Sequence, residues 1–102
     1  MPHLVQILLP VFDNQGRHIP AAHYDQVRTK IIGQFGGLTA YTRVPAEGLW
    51  QSGTSIRKDD IVVVEVMDTE LDRSWWQDYR VELERLFRQD EIVIRAQSYE
   101  AL

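Results

Sequence analysis

The most chemically suggestive set in this sequence is one acidic and two basic side chains, namely Glu65 with Arg95 and Arg43. Each lies in a segment typical of a β-strand, so a shared sheet face would bring a carboxylate beside guanidinium groups. A partly buried carboxylate in that position can orient a small polar substrate or take a proton from it. The alternative, which we favour, is a structural ion pair inside a dimer interface.

Hydrophobic periodicity divides the chain into four strand-like and two helical segments. Alternating or continuous apolar runs predict the strands, whereas apolar residues at spacings of three and four predict the helices. The predicted strands are residues 4–12, 38–44, 61–67 and 92–99, and the predicted helices are residues 21–35 and 71–88. Their order is the βαββαβ pattern of ferredoxin-like domains. We therefore predict one α+β domain over residues 1–102, with a four-stranded antiparallel sheet and two helices on one face.

The two faces of the predicted sheet differ, because side chains alternate along a strand. One face is almost wholly apolar and is expected to carry both helices. The other face mixes polar groups with an apolar patch larger than a free monomer usually exposes. In the strand order 4-1-3-2, Arg95, Gln6 and Glu65 form a row across neighbouring strands. Tyr41 or Arg43 is expected to continue that row on the second strand.

Something is expected to cover this mixed face, and two classes of function follow. A second copy of the chain would make it a homodimer interface, with the sheet serving self-association. A small molecule held between the face and residues 48–52 would make it a binding site or a cofactor-free active site. The sequence does not decide whether the protein is an enzyme, and it indicates no catalytic residue. The candidate ligand-binding residues are Glu65, Arg95, Arg43, Tyr41, Gln6 and Trp50.

Composition argues against several other classes. The formal net charge of −4 is the wrong sign for a protein that binds a nucleic-acid backbone. Without cysteine there is no disulfide framework, no thiolate nucleophile and no Cys-ligated zinc. The three histidines lack metal-binding spacing, so we expect neither a metal nor a cofactor. No apolar run approaches the length of a membrane span, and no signal segment begins the chain, which predicts a cytoplasmic protein without a membrane partner.

Three short motifs carry a resemblance. FGGLTAY at residues 35–41, PAEGLW at residues 45–50 and WWxxYR at residues 75–80 resemble a family of small uncharacterised bacterial proteins, over nearly the whole chain. That resemblance implies no activity, substrate or catalytic residue. At the level of topology the chain is also similar to the dimeric α+β barrel proteins, which include small monooxygenases, dehydratases and degradative isomerases. This second likeness implies a fold and a dimer, since fold alone does not transfer function.

Overall fold

The computed structural model describes residues 2–43 and 61–102, apart from the side chains of residues 40–43. Within those residues the structure is α+β, with two helices packed on an antiparallel sheet, as predicted. The strands lie in the order β2-β3-β1-β4, so β1 and β3 are central. The elements are β1 (His3–Pro10), α1 (Ala21–Phe35), β2 (Thr39–Arg43), β3 (Ile61–Asp68), α2 (Arg73–Leu86) and β4 (Val93–Ser98).

Strand β1 joins the two halves of the sheet, and its side chains show the expected alternation of burial. Val5, Ile7 and Leu9 are buried, whereas the residues between them are only partly buried. Both helices pack on the buried side, because residues of α1 and α2 share one hydrophobic cluster with β1 and β3. That cluster consists of Val5, Ile7, Leu9, Ile19, Val27, Ile31, Val64, Val66, Trp76, Tyr79, Leu83, Phe87 and Ile92.

Helix α1 has the predicted bounds, and both of its ends have local causes. Pro20 is the N-cap with φ of −63°, immediately before the first helical residue, where the missing N–H leaves no donor unpaired. Gly36 ends the helix with φ of +85°, a left-handed conformation that glycine adopts without a steric cost. Its N–H donates to the carbonyl oxygen of Ile32 at 2.8 Å.

Helix α2 is two residues shorter at each end than predicted, and hydrogen bonds fix where it starts. Asp72 is the N-cap, and its Oδ1 accepts from the N–H of Trp75 at 3.1 Å. Asp68, the last residue of β3, is buried and accepts from Nε1 of Trp76 at 3.0 Å. A buried carboxylate needs such a donor. The Asp68–Trp76 bond therefore ties the end of β3 to the first turn of the helix.

The outer strands and strand ends differ from the prediction for identifiable reasons. β1 ends at Pro10, which has no N–H to extend the ladder, and Phe12 forms only an isolated bridge with His18. Ile92 lies before β4 because its N–H donates to the side chain of Glu84 at 3.0 Å. Ala96 pairs with the buried Val5, on the side of the sheet that carries the helices, but it is exposed in the edge strand β4.

We predict that Val64→Ala lowers the free energy of unfolding by about 1–3 kcal/mol, because the side chain lost from the core leaves a cavity. Val64 is 4% exposed and lies in the hydrophobic cluster. Urea unfolding measures the change. Val81→Ala is the matched control, because Val81 is 44% exposed, and it should change stability by less than about 0.5 kcal/mol. An equally small effect at Val64 would contradict the packing described above.

Candidate functional site on the helix-free face

A hydrogen-bonded row of three side chains crosses the sheet on the face that carries no helix. The register sets Gln6 of β1 opposite both Glu65 of β3 and Arg95 of β4. Nε of Arg95 donates to Oε1 of Gln6 at 2.8 Å, and Nε2 of Gln6 donates to Oε2 of Glu65 at 2.7 Å. The row therefore links a guanidinium group to a carboxylate through one amide.

The amide of Gln6 has one orientation that satisfies both neighbours. Its NH₂ group must point to the Glu65 carboxylate, which only accepts, and its oxygen must point to Arg95, which only donates. Hydrogen bonds to charged groups are stronger than those between neutral groups. Within the described residues, Arg95 makes no other hydrogen bond. The row thus ties Nε of Arg95 to Gln6, while Arg95 as a residue is exposed.

The sequence predicted the first three members of this row but not the way in which they are connected. Glu65 was expected to contact an arginine, and the link to Arg95 passes through Gln6 instead of being direct. On β2 the register places Thr39 opposite Glu65, while Tyr41 pairs with Val63 and Arg43 with Ile61. The register thus sets Thr39, and not Tyr41 or Arg43, directly opposite Glu65, while a contact of the Tyr41 or Arg43 side chain with the row stays a prediction.

Three of the predicted site residues cannot be placed by their side chains. For Tyr41 and Arg43 the structure describes only the backbone, and Trp50 lies outside the described residues. Their roles stay predictions. Thr39, which the sequence analysis did not single out, follows from the pairing of Ala40 with the buried Val64, and that pairing is visible only in the structure. The sequence carries no turn signal that sets this offset.

Apolar side chains surround the row on the same face. We call this surface the helix-free face, and its described members are Leu4, Gln6, Leu8, Ile61, Val63, Glu65, Met67, Val93, Arg95 and Gln97. Met67 is 69% exposed and Val93 is 46% exposed, which is high for large apolar residues. Val63 is only 2% exposed, although it is not part of the cluster under the helices. The face thus combines a bonded polar row with exposed and partly buried apolar surface.

A groove of about 460 Å³ lies at one side of this face, next to Glu65. It extends from β1 and β3 to the segment that connects α1 with β2. Its volume falls within the range of small-molecule sites. Its described walls combine polar and apolar surface and include the Glu65 carboxylate, which can bind a ligand electrostatically or transfer a proton. The lining residues are Leu4, Phe35, Gly36, Gly37, Leu38, Thr39, Glu65 and Met67.

A second groove, of about 430 Å³, runs between the helices on the opposite side of the molecule. Lys30 bridges it, with Nζ 3.9 Å from the Glu82 carboxylate and 5.9 Å from the centre of the Tyr79 ring. Burial, followed by the charge of Glu82, raises the pKa of Tyr79 well above its usual range. Burial likewise raises the pKa of Tyr24 to about 12. The Tyr24 hydroxyl donates to the carbonyl oxygen of Pro10 at 2.7 Å.

Trp75, Trp76 and His18 take structural positions. Trp75 and Trp76 pack on each other with ring centres 4.8 Å apart and on Phe35 and Tyr79 at 5.1–6.2 Å, which confirms that both belong to the helix stripe facing the core. His18 contacts the carbonyl oxygen of Ile19 through Nδ1 at 3.1 Å. No group of three or more metal-ligating side chains lies close enough together, among the described residues, to hold a metal ion.

No family model matches the chain, and neither the curated proteins nor the solved structures contain a match to it. In the part of the chain that the structure describes, no helix is long and apolar enough to cross a bilayer.

We predict that Gln6→Leu lowers the free energy of unfolding by about 1–2 kcal/mol at pH 7, because Glu65 loses a donor and Arg95 loses its acceptor. Gln97→Leu is the control, since Gln97 is exposed on the same face, and it should stay within about 0.5 kcal/mol. Urea melts at two protein concentrations separate folding from association. A neutral or stabilising effect of Gln6→Leu would show that the row adds nothing to the fold.

Proposed function

We propose that this protein is a ferredoxin-like βαββαβ domain that works as a cytoplasmic homodimer, with the helix-free faces of two copies packed on each other. The observation that carries the proposal is the composition of that face. Met67 and Val93 are exposed to 69% and 46% around a polar row whose members already bond to one another. The strand order and the common packing of both helices on one side support the ferredoxin-like assignment.

The bonded row makes this face suitable for burial. Removing an unpaired charge from water costs several kcal/mol, whereas a paired and hydrogen-bonded charge is far less costly. Glu65 and Arg95 are each hydrogen-bonded to the amide of Gln6. A partner that excludes water therefore leaves neither charged group without a hydrogen bond. Apolar residues on both sides of the row then supply the favourable burial.

A second copy of the chain is the occupant that fits this surface without further assumptions. Two sheets pack face to face about 10 Å apart when their inner faces are largely apolar. Twofold dimers are the commonest closed assemblies, and each copy then presents the same surface. The absence of cysteine is in keeping with a cytoplasmic protein, because no disulfide is needed to maintain the fold.

We predict that Val93→Lys converts the dimer to a monomer, because it places a charge in the apolar part of the interface. Val81→Lys is the matched control: Val81 and Val93 are 44% and 46% exposed, but Val81 lies in α2. Sedimentation equilibrium at micromolar concentration gives the oligomeric state, and circular dichroism confirms that each variant is folded.

Two results would contradict the proposal. A wild-type protein that is monomeric at micromolar concentration would do so directly. A Val93→Lys variant that dimerises as tightly as wild type would exclude the helix-free face as the interface. Loss of the dimer in the Val81→Lys control instead would place the interface on the helices.

The groove next to Glu65 supports a second candidate function, the binding of a small molecule. Its volume of about 460 Å³ holds a metabolite-sized ligand, and among the described residues that line it Glu65 is the one ionisable side chain. A groove whose described lining combines apolar surface with a carboxylate suits a ligand that combines an apolar part with an amine or another hydrogen-bond donor. This site would place the protein among small-molecule-binding proteins or cofactor-free enzymes of the dimeric α+β barrel type.

We predict that amine-bearing fragments found by ligand-observed NMR lose at least about tenfold in affinity in the Glu65→Gln variant, since a charge-assisted bond becomes a neutral one. Glu70→Gln is the control, because Glu70 is exposed and does not line the groove. Equal binding to wild type and to the Glu65→Gln variant would show that these fragments do not use the groove. If no fragment binds to wild type, the result would contradict this second function.

A further inference from the structure

We infer that in this homodimer Arg95 of each copy pairs with the partner's Glu65 across the interface, about a twofold axis that runs along β1. The inference rests on the homodimer proposed above and specifies how the two faces meet. It follows from the charge pattern of the row, which is positive on β4, neutral on β1 and negative on β3.

The position of the row in the sheet determines what a twofold axis does to it. β3 and β4 both pair with β1, so Glu65 and Arg95 lie at one strand spacing on either side of Gln6. An axis along β1, between two stacked sheets, exchanges the two sides of β1. It therefore sets Arg95 over the partner's Glu65 and Gln6 over the partner's Gln6. An axis along the row would instead set Arg95 over Arg95 and Glu65 over Glu65, which like-charge repulsion opposes.

The side chains have the chemistry that this pairing needs. Arg95 uses Nε for Gln6, which leaves its terminal nitrogens for a carboxylate opposite. A carboxylate accepts several hydrogen bonds at once, so Glu65 retains the bond from Gln6 while accepting from the partner's Arg95. Stacked sheets lie about 10 Å apart, a gap that a long arginine and an opposing glutamate fill together. Two such pairs form in each dimer by symmetry.

The expected role of these pairs is to select one orientation of the two sheets. Apolar residues flank the row on both sides, and they do not distinguish one axis from another. Charge complementarity rejects the wrong arrangement, even where the pairs add little to the total affinity. This gives the Arg95–Gln6–Glu65 row a purpose that the fold of one chain does not require.

Mixing two oppositely charged variants tests the pairing between copies. The Glu65→Arg chain has two positive groups in its row, and the Arg95→Glu chain has two negative groups. Each variant alone should be monomeric at concentrations where wild type is dimeric, because like charges then face each other. An equimolar mixture should form a heterodimer, measured by sedimentation velocity with one variant fluorescently labelled. Mixing leaves the bonds within each chain unchanged, so a recovery reports only contacts between chains.

Neutral substitutions test the direction of the axis. Glu65→Gln and Arg95→Gln should each weaken the dimer by about tenfold or more, as expected for the loss of two close interfacial charge pairs. If the axis ran along the row, each substitution would remove a like-charge contact, and the dimer would become tighter. Glu70→Gln, in the turn after β3, is the control and should leave the dissociation constant unchanged.

The outcomes separate this inference from the proposed function. Wild-type dimer, monomeric charge variants, a heterodimer on mixing and weaker neutral variants together support the pairing. Two results would overturn the pairing but leave the homodimer intact. In the first, wild type is a dimer and each charge variant alone still dimerises. In the second, circular dichroism shows the variants to be folded, but they do not associate on mixing. A tighter dimer in Glu65→Gln overturns the axis. A monomeric wild type overturns both.

Discussion

The register of β1 between β3 and β4 is the constraint on which the rest of this structure depends. Side chains alternate with a period of two, so a slip of one residue would exchange the two faces of the strand. In the observed register Val5, Ile7 and Leu9 lie under the helices. The same register places Gln6 opposite both Glu65 and Arg95. The hydrophobic core and the polar row are therefore two consequences of one pairing.

The core restrains the chemistry of the opposite face. Burial of three apolar side chains of β1 is worth several kcal/mol, more than the two hydrogen bonds of the row contribute. The polar residues consequently cannot shift along the strand to find other partners. Gln6 is held where its amide bridges a carboxylate and a guanidinium group. A sheet surface that packing has already fixed can present charges in a defined order, which is what recognition of a partner or a ligand requires.

The edges of the sheet are specified less strongly than its centre. At β4, Ile92 leaves the ladder because its N–H donates to Glu84, and Ala96 lies beyond the cover of the helices. At β2, the register with β3 places Thr39 beside Glu65. Edge strands have one neighbour instead of two, so side-chain contacts and loop geometry decide their ends. The groove next to Glu65 forms at such a junction, where α1 leads into β2.

The amino-acid pattern alone determined the α+β class, the bounds of α1 and the side of the sheet that the helices cover, because hydrophobic period and glycine at a helix end act locally. It also indicated that Gln6, Glu65 and Arg95 share a face. Tertiary structure decided how they connect: Gln6 stands between the charges, and the register of β2 sets Thr39 opposite Glu65. The offset between two strands is set by packing and by the connection between them, and neither is encoded in the period of a single strand.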